Sequence, residues 1–197
     1  MRRILLLAAL VVTAGAIAQT PTQRIRGDVT ALDGNVLTVK ARGGETLTVK
    51  LADNYTVAGL VAIDRAALVD GAYIGTATLP KADGTLAALE VLVFPEAMRG
   101  TGEGHGPWDL QPGSMMTNAT IARVERTGNE RQLTLRYKDG EKQVVVPDGV
   151  PIVTFDAGER SLLVPGAHIL LTAAKQPDGT LTATRVTVGK NGLVPPM

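Results

Sequence analysis

Apolar and polar residues alternate along most of the chain. In Leu47–Leu51 and Leu89–Val93 every second residue is apolar, and glycine or Asp-Gly pairs separate such segments. A period of two places successive side chains on opposite faces of a β-strand. Short strands with turn residues at intervals of about 8–12 positions are typical of barrels and sandwiches. The pattern therefore predicts an all-β fold.

The sequence also matches itself when it is shifted by 95 positions. The clearest matches pair Gly71–Ile74 with Gly166–Ile169, and Asp83–Leu86 with Asp178–Leu181. Self-similarity at a fixed offset indicates that one folding unit is used twice. We therefore predict a first β-barrel repeat over residues 24–94, an ordered inter-repeat loop over 95–118, and a second β-barrel repeat over 119–190.

One segment interrupts the alternation in each repeat, at Ile63–Leu68 and at Gly158–Leu163. Asp64 can cap a short helical turn in the first of these segments. Three strands, a short helix and two further strands follow the order of a five-stranded Greek-key barrel of the OB type. We predict a tandem of two small five-stranded OB-like barrels, each with one short helix. A small β-sandwich is the alternative.

A motif that recurs in both copies supports this interpretation. It reads Asp64-x-x-x-Leu68-x-x-Gly71 and then Asp83-Gly84-Thr85-Leu86, and in the second copy Glu159-x-x-x-Leu163-x-x-Gly166 and then Asp178-Gly179-Thr180-Leu181. The pair resembles the small repeated β domains of unknown function found in exported bacterial proteins. The resemblance covers most of both repeats and implies an OB-like fold and export. It implies no catalytic residue.

The first residues have the pattern of an export signal. Arg2 and Arg3 precede the apolar run Ile4–Val12, and Ala16–Ala18 gives a small-x-small cleavage pattern. We predict a signal peptide over 1–18, cleaved after Ala18, and location in the periplasm. No later apolar stretch reaches the roughly 18 residues of a membrane-spanning helix, so no transmembrane segment is expected after cleavage.

Charge and cysteine content narrow the function classes. The chain has 20 basic and 19 acidic residues, and two of the basic residues lie in the predicted signal peptide. A near-neutral chain argues against nucleic acid as the partner, because phosphate binding needs a basic surface. The chain has no cysteine, which excludes thiol nucleophiles and thiolate metal sites. The expected partner is an unidentified protein or small ligand in the periplasm.

The inter-repeat loop concentrates the rare side chains of the protein. It contains the one tryptophan and three of the five methionines. A flexible linker would be polar, so we predict that this loop folds back across the barrels and forms a contact surface. The residues predicted to bind a ligand or partner are Phe94, Met98, His105, Trp108, Asp109, Met115 and Met116.

A transition metal is an alternative ligand for the same loop. His105 could bind a metal together with acidic residues, and with the neighbouring methionines it could hold a soft ion such as Cu(I). The metal-ligand candidates are His105, Glu96, Glu103 and Asp109. No other cofactor is expected.

Catalytic patterns are weak. The two serines are Ser114 and Ser161, and the two histidines are His105 and His168. Neither serine lies in a Gly-x-Ser-x-Gly turn, and no carboxylate pair stands out. We therefore predict no catalytic residue and a non-catalytic binding or assembly protein. A metal-handling protein is the first alternative, and a hydrolytic enzyme is the second.

Overall fold

The computed structural model describes residues 21–197, so the predicted signal peptide over 1–18 lies outside the described residues. The described chain contains thirteen β-strands and three single turns of 3-10 helix. The strands are β1 (Thr22–Asp33), β2 (Val36–Ala41), β3 (Thr46–Ala62), β4 (Tyr73–Pro80), β5 (Leu86–Ala88), β6 (Val91–Val93), β7 (Gly104–Pro107), β8 (Met115–Thr127), β9 (Glu130–Tyr137), β10 (Gly140–Val146), β11 (Ile152–Ala157), β12 (His168–Lys175) and β13 (Leu181–Gly189). The 3-10 turns are η1 (Arg65–Ala67), η2 (Glu96–Met98) and η3 (Arg160–Leu162).

Five strands close into a barrel, named here the first ring. β1, β2 and β3 form an antiparallel meander, β13 adds to β3 in parallel, and β12 joins β13 back to β1. The register of β1 shifts between Val29 and Ala31, a bulge that lets the strand bend around the barrel. These pairings confirm the predicted all-β class and a closed five-stranded barrel.

Five of the eight remaining strands repeat the same order of pairing. β8, β9 and β10 form an antiparallel meander, β5 adds to β10 in parallel, and β4 joins β5 back to β8. This set is named the second ring. β6 and β11 continue β5 and β10 beyond short breaks and pair with each other in parallel. Because β11 also pairs with β3, all thirteen strands belong to one hydrogen-bonded sheet.

Each ring combines strands from both repeats. The expected division placed one barrel in residues 24–94 and the other in 119–190, each closed by its own strands. Instead, β1–β3 are closed by β12 and β13, while β8–β10 are closed by β4 and β5. The physical reason lies in β3, which is 17 residues long and runs past its own barrel to pair with β11. It therefore delivers η1 and β4 to the second ring.

Two equivalent arginines connect the exchanged parts. Arg65, in η1, donates to the backbone carbonyls of Asn129 and Pro147. Arg160, in η3, donates to the carbonyls of Asp53 at 2.9 Å and Tyr55 at 3.0 Å. Each arginine thus ties its own repeat to the meander of the other repeat.

The two 3-10 turns replace the predicted helices. Both η1 and η3 are three residues long. The Asp64 carboxylate accepts a hydrogen bond from the Ala66 N–H at 2.6 Å, as expected of a capping residue, whereas Glu159 makes no such bond. Gly71 and Gly166 follow the turns with φ near +85°, a conformation that costs glycine little.

Each ring encloses its own apolar core. The core of the first ring includes Leu37, Val49, Ile169 and Val186. The core of the second ring is likewise a cluster of buried apolar side chains. A third cluster lies between the rings and consists of Leu60, Tyr73, Leu92, Phe94, Val153 and Met197. Within residues 21–197, no helix has the length and apolarity that a membrane crossing requires.

The exchange predicts that neither half of the chain folds by itself. A fragment of residues 21–102 lacks β12 and β13, and a fragment of residues 103–197 lacks β4 and β5. We expect each fragment alone to show no cooperative thermal unfolding by circular dichroism, and a mixture of both to regain the transition of the intact chain. A cooperative transition in either isolated fragment would contradict the exchange.

Arg160 is expected to stabilise the first ring. Its guanidinium also lies 4.0 Å from the ring centroid of Tyr55. Replacement by alanine removes two hydrogen bonds and this cation–π contact, and should lower the free energy of unfolding by roughly 2 kcal/mol. Arg126→Ala is the matched control, because Arg126 is exposed and its loss should change stability by less than about 0.5 kcal/mol. Urea denaturation measures both, and equal effects would contradict the assignment.

Candidate functional site

A cavity of about 350 Å³ lies between the outer faces of the two rings. Residues that alternate with the barrel cores line it, because adjacent residues of a strand point to opposite faces. The first ring contributes Leu170, Thr172, Arg185 and Thr187, and the second ring contributes Gly75, Met116 and Asn118. This space is named the inter-ring cavity.

Its walls are mostly apolar and aromatic. Phe94 lies at the centre of an aromatic row, with its ring centroid 5.3 Å from that of Tyr73 and 6.1 Å from that of Phe155. Leu92, Met98 and Met116 extend the apolar surface, and the row belongs to the cluster that packs between the rings. A concave apolar site with a few polar groups is the usual form of a small-ligand site.

Glu90 is the most unusual residue of the lining. It sits at the break between β5 and β6 with 0% of its surface exposed. Its Oε1 accepts a hydrogen bond from the Ala77 N–H at 2.7 Å, while its Oε2 has no hydrogen-bond partner among residues 21–197. Burial raises the pKa of the Glu90 carboxyl to about 8, against the weaker opposing effect of the Ala77 hydrogen bond.

Trp108 is a second lining residue with an unpartnered polar atom. Its Nε1 is buried and has no hydrogen-bond partner in the described part of the chain. The loop that carries it is fixed by Ser114, whose buried hydroxyl lies 2.9 Å from the Trp108 carbonyl oxygen and 2.8 Å from that of Gln111. Leaving a buried polar atom without a partner costs about 1–3 kcal/mol, so two such atoms on residues that line one cavity require an explanation.

The tryptophan loop is anchored to β1 by charge. The Arg24 guanidinium lies 3.7 Å from the ring centroid of Trp108. Asp109 forms ion pairs with Arg26 at 2.8 Å and with Arg24 at 3.3 Å. Burial opposes ionisation of Asp109, but the two guanidiniums outweigh it and lower the pKa of this carboxyl. The contacts hold the indole against the first ring.

The structure brings four of the seven predicted contact residues to the cavity: Phe94, Met98, Trp108 and Met116. Three lie elsewhere. Asp109 lines a separate polar recess beside β1, and Met115 faces the opposite side of β8 from Met116. His105 is hydrogen-bonded to the Thr117 hydroxyl at 2.8 Å and stacks on Tyr137, away from the lining.

The four predicted metal ligands have different partners. Glu96 is paired with Arg99, Glu103 accepts a hydrogen bond from the Lys138 N–H, and Asp109 is paired with arginines. Burial, and then the charge of Lys142, lower the pKa of His105, which favours its neutral form. Over the described range 21–197, no group of three histidine or acidic side chains is arranged to hold a metal. Metal binding stays an untested hypothesis.

Three important lining residues were missed by the sequence analysis: Glu90, Arg24 and Arg185. One signal could have identified Glu90. It is the single charged residue within the apolar run Leu86–Phe94, and a charge in a buried strand needs a reason. The two arginines are far in sequence from the inter-repeat loop and carry no comparable signal.

Comparisons with known protein families, with curated proteins and with solved structures find no match to this chain. The site is therefore interpreted from its own geometry.

The buried carboxyl predicts a pH-dependent stability. Because the folded-state pKa of Glu90 lies near 8 and its ordinary value is 4.5, the unfolded chain releases this proton first as the pH rises. The free energy of unfolding should therefore fall between about pH 4.5 and pH 8, by up to roughly 5 kcal/mol from this residue.

The matched variant is Glu90→Gln, which keeps the acceptor for Ala77 but cannot ionise. Urea denaturation at several pH values should show a shallower decline in the variant than in the natural protein. Identical pH profiles would show that Glu90 is not a buried carboxyl of raised pKa.

Proposed function

We propose that the protein is a non-catalytic binding protein of the periplasm that takes up a small, mainly apolar molecule in the inter-ring cavity. One observation carries the proposal: two buried polar atoms without partners, Glu90 Oε2 and Trp108 Nε1, belong to residues that line the same apolar cavity. A ligand with a hydrogen-bonding group would satisfy both atoms and cover the aromatic row.

The architecture supports this proposal. We propose that both rings are OB-like barrels, since both have the strand order of a three-stranded meander closed by two further strands. The inter-repeat segment, over 95–118, then crosses the seam between the barrels and supplies Met98, Trp108 and Met116 to the site. A rigid scaffold with the specific side chains on a connecting segment is a common design for binding proteins.

The serines and histidines have structural partners that account for their positions. The Ser114 hydroxyl is enclosed by its own loop, and His168 is hydrogen-bonded to Asp28 at 2.6 Å. Recurrence of Arg65 and Arg160 is explained by the exchanged strands. The metal-handling and hydrolytic alternatives stay hypotheses that no particular contact favours.

The test uses the natural fluorescence of Trp108, the one tryptophan of the chain. The probes are 1-octanol, octanamide, octanoate and octylammonium, which share an eight-carbon chain and differ in the polar head. At least one probe should shift the Trp108 emission in a saturable manner, with a dissociation constant on the order of 0.1 mM for a ligand of about ten non-hydrogen atoms.

Leu92→Phe places a larger side chain in the cavity wall, where Leu92 is 5% exposed. It should weaken binding by about tenfold, since a filled cavity has less room for the chain of the probe. Val69→Phe is the matched control, because Val69 is 54% exposed and outside the lining. Absence of a saturable response to all four probes, with the fold intact, would remove the proposed function.

A further inference from the structure

This inference rests on the proposed function and specifies its ligand. We propose that the inter-ring cavity binds a small apolar carboxylate, such as a medium-chain fatty acid, whose carboxylate accepts hydrogen bonds from the donors that line the cavity. The argument depends on which unpartnered atoms are donors and on the charges that surround them.

Trp108 supplies a donor. An indole Nε1–H can donate a hydrogen bond but cannot accept one. The atom is buried and has no partner among residues 21–197, although the residue lines the cavity. The group that satisfies it must therefore be an acceptor, which excludes a purely aliphatic ligand and an ammonium group.

Glu90 supplies a second donor near neutral pH. Its Oε1 already accepts the Ala77 N–H, so a proton on this carboxyl resides on the unpartnered Oε2. Burial keeps the carboxyl protonated below its pKa of about 8. Glu90 Oε2–H then also requires an acceptor, and a hydrogen bond between a carboxylic acid and a carboxylate is short and strong.

The charges that face the cavity are positive. Arg24 enters from β1 and Arg185 from β13, and these two guanidiniums and Glu90 are the ionisable side chains of the lining among the described residues. Met197 also lines the cavity, and its main-chain oxygen accepts a hydrogen bond from Arg26 Nε, a guanidinium outside the lining. Asp109 partly offsets the charge of Arg24. Arg185 takes part in no ion pair within 21–197, and its guanidinium lies over the Phe155 ring, 5.3 Å from the centroid. An anionic head therefore fits better than a cationic head.

The remaining polar groups of the lining do not reverse this preference. Asn118 donates its Nδ2–H to the Thr101 carbonyl at 3.2 Å, and the threonine hydroxyls can either donate or accept. The apolar surface of Leu92, Phe94 and Met116 suits a hydrocarbon chain. Together these features select a molecule with an aliphatic body and one carboxylate.

The experiment compares the four eight-carbon probes on the intact protein at pH 7 by isothermal titration calorimetry. Octanoate should bind about tenfold more tightly than 1-octanol, which lacks the charge, and octylammonium should bind most weakly. Octanamide, which has a neutral carbonyl acceptor, should fall between octanoate and 1-octanol. Binding of 1-octanol or octylammonium as tightly as octanoate overturns the carboxylate proposal but leaves the proposed function standing.

Variants then identify the donors. Trp108→Phe keeps the aromatic surface but removes the N–H, and should weaken octanoate binding about fivefold or more. Glu90→Leu should do the same, whereas Glu90→Gln keeps an oxygen that accepts the Ala77 N–H, places an N–H donor on the other side of the group, and should retain binding. Equal losses in the glutamine and leucine variants would contradict the donor role of Glu90.

The pH dependence of octanoate binding is an independent test of the donor role of Glu90. In the natural protein, octanoate should bind more weakly above about pH 8, where Glu90 ionises and repels the carboxylate. Binding to Glu90→Gln should not show this loss. Binding of octylammonium that strengthens above the same pH and exceeds that of octanoate would assign the site to cations and overturn the inference.

Discussion

The parallel pairing of β3 with β13 is the contact on which the whole arrangement depends. It joins a strand of the first repeat to the last strand of the second repeat, over Leu181–Gly189 and Val49–Leu60. Parallel pairing needs no turn between its partners, so the two strands can be far apart in the sequence. Because β13 then occupies the edge of β3, β4 and β5 cannot close the ring of their own repeat, and they pair with β8 and β10 instead. The inter-ring cavity follows from this sharing, since both rings then face each other across one seam.

The sequence predicted the fold class and the duplication but not the exchange. Alternation of apolar residues specifies which face of a strand is buried, and this holds equally for β4 and for β12. Ile74 and Ile169 are equivalent residues, and each is buried in the core of the ring whose meander belongs to the other repeat. Because both copies offer the same apolar pattern, the sequence does not determine which copy closes which ring. The length of β3 decides it, and strand ends are poorly defined by local pattern.

The candidate site was predicted in part for a similar reason. Trp108, Phe94, Met98 and Met116 are large apolar side chains in or beside a glycine-rich segment, so composition alone identifies them. Arg24 and Arg185 reach the cavity through tertiary structure, from strands with ordinary alternation. Met115 and Met116 show what composition cannot predict. Both are rare residues, but adjacent residues of a strand point to opposite faces, so Met116 lines the cavity and Met115 points away from it.

The exchanged strands also affect the time course of folding. β1 begins at Thr22 and pairs with β12, which begins at His168, so the first barrel cannot close until most of the chain is available. Contacts this distant in sequence slow folding and leave unpaired strand edges exposed meanwhile. A newly synthesised chain therefore stays longer as an open, aggregation-prone intermediate than two independent domains would. Its need for protection against aggregation is built into the connectivity rather than into any single residue.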